Sequence, residues 1–529
     1  MSNTKRPKSV HWADITADNI IRTKGEKSQY TCASGVTPSG TVHIGNFREI
    51  ISVELVARAL RDKGRHVRFI FSWDEYDVFR KVPKNMPKPE LLETFLRKPI
   101  TLVPDTTGKY ENYARANERV LEQQLPKVGV EPEYIYQAER YRSSEYARGI
   151  RTALEHKDEL RKMLNEHRTT PLPDDWWPVS VFSNFTDKDT TTVLDWNGEW
   201  ELTYRCEETG NVETVDLRKT SAVKLPWRID WPMRWALEEV DFEPAGKDHH
   251  SEGGSFDTSK SVVKVFGGEP PVTFQYDFIR IKGRGGKISS SSGEVVDLGD
   301  VLEIYPPEII RYLFVGTRPN SEFAISFDLD VLKIFEDYDK CERIYFSKQA
   351  ISEKKKAKEL RIYELSQVHE IPEQMPYQVP LRHLCNMLQS NEGDIEATIS
   401  SLPDVEDHQV ERLRVRCACA WNWLKGYAPE DFKFSLNHAD QVTVDLTEEQ
   451  KAAVASLAEE VEKIDSHTEK SMAEAVYAAA HDNGVEPTEL FRISYQIIVG
   501  KDKGPRLAGF IMLCGKDKIL PLLYAALGR

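Results

Sequence analysis

A strand, a loop rich in glycine and proline, a helix and a second strand follow one another within the first 71 residues, and that order leaves few folds open. Gln29-Tyr-Thr-Cys-Ala-Ser34 is a short strand-like run that stops at Gly35-Val-Thr-Pro-Ser-Gly40. From Ile44 to Leu60 the apolar residues Ile44, Phe47, Ile51, Leu55 and Ala59 recur near helical spacing, and Gly64 is placed to end the element. His66-Val-Arg-Phe-Ile-Phe71 then reads as the second strand. Parallel neighbours need a long crossover, which the helix supplies, so the expected class is α/β with a doubly wound parallel sheet.

The chain has 529 residues, too many for one compact core. A prior of roughly 100–200 residues per domain gives three or four units. Residues from about 95 to 240 are less regular and hold Trp176, Trp177, Trp196, Trp200, Trp227, Trp231 and Trp235, seven of the eleven tryptophans, which marks an insertion. Within it Val193 to Tyr204 forms a hairpin pattern around Asn197-Gly198. A second Gly/Ser-rich loop runs from Gly283 to Gly293, and residues 306–314 read as a helix after a Pro-Pro start. From about residue 330 the pattern is helical. Thr447-Glu-Glu-Gln450 fits a capping box before Val454, Leu457, Val461 and Ile464, and Ser471 to His481 continues as a helix with Gly484 as its stop.

Composition removes several classes of function. No apolar run approaches the ~18 residues of a membrane span, and no apolar stretch follows the first basic residues as in a secretory signal, so the expected compartment is the cytoplasm. The seven cysteines have no framework spacing and read as reduced thiols; Cys417 and Cys419 diverge on a helix, so a metal pair there is the weaker reading. A net charge of −14 argues against a protein that coats DNA or RNA by bulk attraction. It leaves room for RNA held on a local basic face, and Lys282-Gly-Arg-Gly-Gly-Lys287 and Lys501-Asp-Lys-Gly-Pro-Arg506 are candidate patches. Lys354-Lys-Lys-Ala-Lys358 is better read as a solvated helix face.

Two Gly-rich loops far apart invite a test for nucleotide binding. A phosphate-cradling Walker loop fails, since Ile288 follows Lys287 where Ser or Thr is required and Ile281 stands at the first glycine position. A dinucleotide fingerprint fails too. What remains is Gly35-Val-Thr-Pro-Ser-Gly-Thr-Val-His-Ile-Gly-Asn46 at a strand-to-helix turn and Gly285-Gly-Lys-Ile-Ser-Ser-Ser-Ser-Gly293 downstream. The pair resembles the HIGH and KMSKS signatures of class I aminoacyl-tRNA synthetases, in the forms HIGN and K-I/M-SSS of the class I lysyl-tRNA synthetases. The likeness extends to Trp73 to Lys84, Lys224 to Trp235, Gly246-Lys-Asp-His249 and Gly500 to Arg506, and so covers most of the chain.

That resemblance implies a Rossmann-like catalytic domain with an insertion, followed by an all-helical C-terminal anticodon-binding region. In residues, 1–94 and 226–330 are the halves of the catalytic domain, 95–225 the connective insertion, 331–370 a helical connector and 371–529 the anticodon-binding region. The implied reaction activates L-lysine with ATP, as its Mg2+ complex, and transfers it to tRNA(Lys), with activation requiring tRNA. No membrane and no DNA partner is expected. A structural zinc is not expected either, because Cys206 stands alone where a knuckle would need paired cysteines.

Chemistry gives the motif residues roles. A triphosphate needs donors; a helix N-terminus offers N–H groups and positive dipole, and His43 and Asn46 add side-chain donors one turn apart. Gly45 would let the nucleotide approach the backbone. Lys287, on its Gly/Ser loop, would meet the charge that grows on leaving pyrophosphate. His43, Asn46 and Lys287 are thus the catalytic candidates. Pro38, Ser39, Gly40, His43, Gly45, Asn46, Lys287, Ser289, Ser290 and Ser291 are the ATP-binding candidates. Carried over by position, Gly35, Thr37, Asp74, Trp227, Asp230 and His249 would bind lysine. Asp74, Glu75 and Asp77 follow the second strand, and each is open to two readings, a ligand or a solvated carboxylate; the tryptophans are open to pocket lining or core packing. The phosphate loop departs from the family pattern with Ser292 in place of a second lysine and Ile288 for Met. Two rival functions stand beside the first: a glutamyl-type class I synthetase, and a non-catalytic tRNA-binding paralogue.

Overall fold

The computed structural model describes residues 9–83, 86–282 and 295–529. Contacts divide the chain into two compact units, the first made of residues up to Leu302 with Pro307–Ile325 and Ser347–Ile371, the second of Glu303–Pro306, Ser326–Phe346 and Pro372–Arg529. Residues 331–370, expected as one connector, are therefore shared between the two units.

The first unit is built on a parallel sheet. Helix α1 (Trp12–Lys24) leads to β1 (Tyr30–Val36), α2 (Ile44–Asp62) and β2 (Val67–Trp73), with β1 and β2 paired in parallel from Tyr30–Val67 to Val36–Trp73. Helix α3 (Tyr113–Gln124) then precedes β3 (Glu133–Tyr136), which lies parallel to β2. Next come an antiparallel meander of β4 (Thr191–Trp196), β5 (Glu201–Cys206) and β6 (Val212–Asp216), helix α4 (Trp227–Leu237), β7 (Val240–Phe242) and helix α5 (Ser255–Val265). Strand β7 pairs in parallel with the other side of β1, so the sheet order is β3-β2-β1-β7. Parallel pairing goes on beyond β7, through Phe242 with Val272 and Ala245–Gly246 with Gln275–Tyr276.

Helix α2 is buried on nearly every side, from Ile44 through Val53 to Leu60, which fits a helix that covers the sheet and is itself covered by α1 and α6 (Pro307–Gly316). One buried arginine ties these layers. Arg311 of α6 donates to Glu54 of α2 at 2.7 Å, to the carbonyl of Val128 at 2.9 Å and to that of Leu365 at 2.9 Å, so its charge is paired and its donors are satisfied by three separate segments.

The segment 95–225 contains β3, an edge strand of the main sheet, and the insertion's own core lies after it. That core gathers Tyr141, Ile150, Leu160, Leu202, Tyr204, Val215 and Leu225, with Trp176, Trp177, Trp196 and Trp200 packed against it. The expected hairpin is present, with Gly198 at φ 79° in the turn between β4 and β5, a left-handed conformation that glycine adopts without Cβ strain.

The second unit is helical. Thr447 and Gln450 form the reciprocal capping box at the start of the helix Glu448–Glu462, and Gly484 sits at φ 70° just past the helix Glu469–His481. Val454, Leu457, Val461, Met472, Val476, Leu490, Ile497 and Phe510 share one core. Also in this unit, Arg416 makes two bonds to the Asp339 carboxylate, at 2.9 and 2.6 Å, with both residues buried. Among the described residues no helix is long and apolar enough to cross a membrane.

Candidate active site

The chain leaves β1 toward β2 and β3, then returns to β1's other side through β7. Where a parallel sheet reverses in this way, the carboxyl ends of the strands splay and leave a crevice. A cavity of about 310 Å³ occupies it. Gly35 and Thr37 come from the end of β1, Ser72 and Asp74 from the end of β2, Asn46 and Glu49 from α2, and Trp227, Trp231 and Arg234 from α4; Glu243, His249 and Tyr276 close the far side. Gly35 is required by the packing of the strands, since a Cβ there would sit 3.0 Å from the Ser72 carbonyl oxygen and Cβ.

The carboxylates in and beside this cavity differ in what neutralises them. Asp74 is paired with Arg234 at 2.8 Å, and Asp77, which also accepts from Thr37, is paired with Lys224 at 2.6 Å. Asp230 lies beneath the cavity wall, buried, bonded by the Tyr141 hydroxyl and paired with Arg234 Nε at 2.9 Å. It does not line the cavity, so of the six residues proposed for lysine only Gly35, Thr37, Asp74, Trp227 and His249 come together there. Glu75 is turned away as well, its carboxylate accepting the backbone N–H groups of Gln137 and Ala138 at 3.0 Å each.

Two acids that the sequence pattern did not single out are in a different position. Glu49 accepts from the Ser34 hydroxyl at 2.8 Å and the Tyr276 hydroxyl at 2.5 Å; Glu243 accepts from the indoles of Trp231 at 3.0 Å and Trp235 at 2.5 Å. Among the described residues neither has a lysine or arginine within ion-pair distance. Burial raises the pKa of Glu49 against the bonds that Tyr276 and Ser34 donate. Burial first, and then the charge of Glu49, push Glu243 up to about 7. The cavity thus holds two acids that are hydrogen-bonded but, among the described residues, lack a counter-ion, with the Trp231 indole N–H and the Tyr276 hydroxyl among their donors. His249, its Nδ1 2.5 Å from the Ser255 hydroxyl, has its pKa lowered by burial and is neutral at pH 7.

After β1 the loop 37–43 leads into α2. His43 is the N-cap, in extended backbone, and Tyr113 holds the loop by donating to the Ser39 carbonyl at 3.0 Å. The first N–H of the helix, from Ile44, is donated to the carbonyl of Val296 at 2.9 Å. The space that a Cβ at Gly45 would fill is occupied by the His43 imidazole, 2.8 Å away, so glycine there lets the histidine ring fold back over the first turn. Asn46, one turn on, reaches the cavity wall and connects this helix end to the site. Lys287, Ser289, Ser290 and Ser291 lie outside the described residues; the nearest described residues on either side, Lys282 and Val295, belong to the same unit, and Val296, next to the latter, is the one bonded to Ile44.

The seven tryptophans divide between both readings left open by the sequence: four pack on the insertion core, while Trp227, Trp231 and Trp235 line the cavity. The signal missed for Glu49 was the helix itself, where a charged residue among apolar ones is read as a solvated face. Glu243 follows the three-residue strand β7 and Tyr276 ends a two-residue strand, with no motif around either.

Residues 10–369 match the family model described as tRNA synthetases class I (K), and residues 427–527 match that of an anticodon binding domain. The chain is 55% identical over 512 residues to a lysine–tRNA ligase of Borreliella burgdorferi, covering 97% of this chain and 98% of the relative. It is 52% identical over 522 residues to that of Treponema pallidum, covering 98% of each, and 41% identical over 527 residues to that of Thermococcus kodakarensis, covering 97% of this chain and 99% of the relative.

Proposed function

The chain belongs to the class I lysyl-tRNA synthetases, and from that premise we propose how its own residues carry out the reaction, ATP with L-lysine and tRNA(Lys) giving lysyl-tRNA(Lys), AMP and pyrophosphate. Lysine enters the cavity with its ε-ammonium between Glu49 and Glu243. The observation that carries this is that among the described residues neither has a cation within ion-pair distance, whereas Asp74, Asp77 and Asp230, in or beside the site, are each already paired. Two raised carboxyl pKa values mean that each charge is destabilised by burial, and further by a nearby carboxylate, Asp74 for Glu49 and Glu49 for Glu243; an ammonium between the two relieves both. Glutamate would place a third carboxylate there, which counts against the glutamyl-type alternative.

The backbone of Gly35 and the hydroxyl of Thr37 orient the α-amino and carboxylate groups, with Trp227 and His249 covering them. The lysine carboxylate then attacks the α-phosphorus of ATP, the bond to pyrophosphate breaks, and lysyl-adenylate forms. His43 and Asn46 at the start of α2 bind the phosphates, with Pro38, Ser39, Gly40 and Gly45 shaping the nucleotide's seat, and Lys287 with Ser289, Ser290 and Ser291 meeting the departing pyrophosphate. Magnesium enters as part of the nucleotide, where it neutralises phosphate charge. The hydroxyl of the terminal tRNA ribose then attacks the lysyl carbonyl, and AMP leaves. We take the reaction to run in the cytoplasm.

Charging of total tRNA with each labelled amino acid is the direct test, and lysine is expected to be the only one attached efficiently. Efficient glutamate charging would overturn the cavity assignment; charging of none would leave a tRNA-binding paralogue. A pH profile tests the site separately. Lysine binds the ionised form of Glu243, whose free-site pKa is about 7, so KM for lysine is expected to fall about tenfold from pH 6 to pH 8 and then level. A flat profile over that range would remove Glu243 from the ammonium site.

A further inference from the structure

Trp227 lines a second cavity besides that of lysine, of about 280 Å³, which no step of the reaction above uses. Leu164, Leu172 and Trp176 of the insertion and Ile229 of α4 give it apolar walls, and Arg168 and Arg228 give it charge. Among the described residues no aspartate or glutamate lines it, in a chain whose net charge is −14.

The two guanidiniums have no counter-ion there. Among the described residues neither has a carboxylate within ion-pair distance; Arg168 Nε donates to the carbonyl of Thr170 at 3.0 Å, and Arg228 lies over the Trp227 ring at 4.7 Å. Burial, and after it the charge of Arg168, lower the pKa of Arg228, so the two charges are close enough to repel each other. Two acids of the same segments are committed elsewhere, Asp174 to Arg161 at 2.5 Å and Asp257 to Lys260 at 3.1 Å.

Packing brings the pair together. Arg228 is fixed by its place in the first turn of α4. Arg168 sits in a loop closed by three contacts: Asn165 accepts the N–H of Leu172 at 2.8 Å, Arg161 donates to the carbonyl of Pro173 at 3.1 Å, and His167 packs on Gly253, φ 69°, so closely that a Cβ there would sit 2.6 Å from that of the histidine. Like charges held together against apolar walls are destabilised until an anion lies between them, and the paired N–H groups of guanidinium match the oxygens of a phosphate.

We propose that this cavity is a binding site for one phosphate group, held between Arg168 and Arg228. Two sources supply such a group: a phosphodiester in the unpaired 3′ end of tRNA, and free phosphate. The first is the one expected, because the last ribose of that strand must reach the lysyl carbonyl in the cavity that Trp227 also lines, and the nucleotides before it then pass close to Arg228. That choice of source rests on the reading of the chain as a lysyl-tRNA synthetase; the site itself does not.

In the test the full chain is titrated with a fluorescent tRNA(Lys) transcript, with the same transcript lacking its unpaired 3′ nucleotides and, by calorimetry, with inorganic phosphate in chloride buffer. The variants are Arg168→Gln and Arg228→Gln. Arg168 is exposed and Arg228 half-buried, so both changes spare the core; since each removes one of two repelling charges, the midpoint of thermal unfolding is expected to stay level or to rise. Each variant is expected to raise Kd for the complete transcript about tenfold and to leave Kd for the shortened one within twofold. Loss of the heat of phosphate binding in both variants, with both transcripts bound as by the parent chain, would keep the site and assign it to free phosphate. Equal losses on the two transcripts, or none on either, together with a heat of phosphate binding that is absent from the parent chain or unchanged in the variants, would overturn the proposal. All these titrations are read without charging, so a chain that attached no lysine would refute the catalytic reading and leave this result to decide the cavity.

Discussion

Lys287→Ala is expected to lower lysyl-adenylate formation by about 10²–10³-fold, the usual loss when one preorganised donor to a transition state is removed. The charge that Lys287 meets grows only as the bond to pyrophosphate breaks, so the loss belongs to the chemical step and not to ground-state binding. Binding of tRNA is expected to change little. Ser292 stands where a second lysine is usual in the family pattern, so within the motif no neighbouring cation takes over. The measurement is single-turnover activation with tRNA present, the condition that the resemblance to the glutamyl and class I lysyl enzymes implies. A rate within about threefold of the parent chain would return this loop to an ordinary surface segment.

Glu49→Gln is expected to lower kcat/KM for lysine by about 10²-fold or more, since removing one partner of a buried, hydrogen-bonded charge pair costs roughly 2–5 kcal/mol. Glutamine keeps the shape; its one carbonyl oxygen accepts from either the Ser34 or the Tyr276 hydroxyl, and the other hydroxyl can turn to accept from its amide N–H, so the fold is expected to survive and even to gain, because an ionisable group with a raised pKa is gone from the cavity. The effect is expected in KM for lysine, with KM for ATP nearly unchanged. Equal losses for both substrates would show that Glu49 holds the site's shape and not the ammonium.

The parts of this protein that could be read locally came through as elements. The strand, loop, helix and strand of residues 30–73, the turn at Asn197-Gly198 and the capping box at Thr447 each depend on residues within a few positions of one another, and the structure has them where the pattern put them. Strand β3 was lost inside the insertion because four residues, Glu133 to Tyr136, are too few to show a period, and only their pairing with β2 makes them part of the sheet. The two signature loops carried the family resemblance because the residue types of each stand close together in the chain.

Which carboxylate is available to a cation was decided elsewhere. Asp74, Asp77 and Asp230 look like lysine ligands as long as only their neighbours in the chain are known, and the pattern of acids was enough to point toward a cationic substrate. Folding brings Arg234 and Lys224 to these three, from 160 and 147 positions away for Asp74 and Asp77, and leaves Glu49 and Glu243 without a counter-ion among the described residues. The sequence alone determined the class of fold, the family and the type of reaction, because strand and helix periods and short motifs are local in the chain. The choice of the acids left to hold an ammonium belonged to the tertiary structure, because burial and pairing are set by groups that are distant in sequence and a few ångströms apart in space.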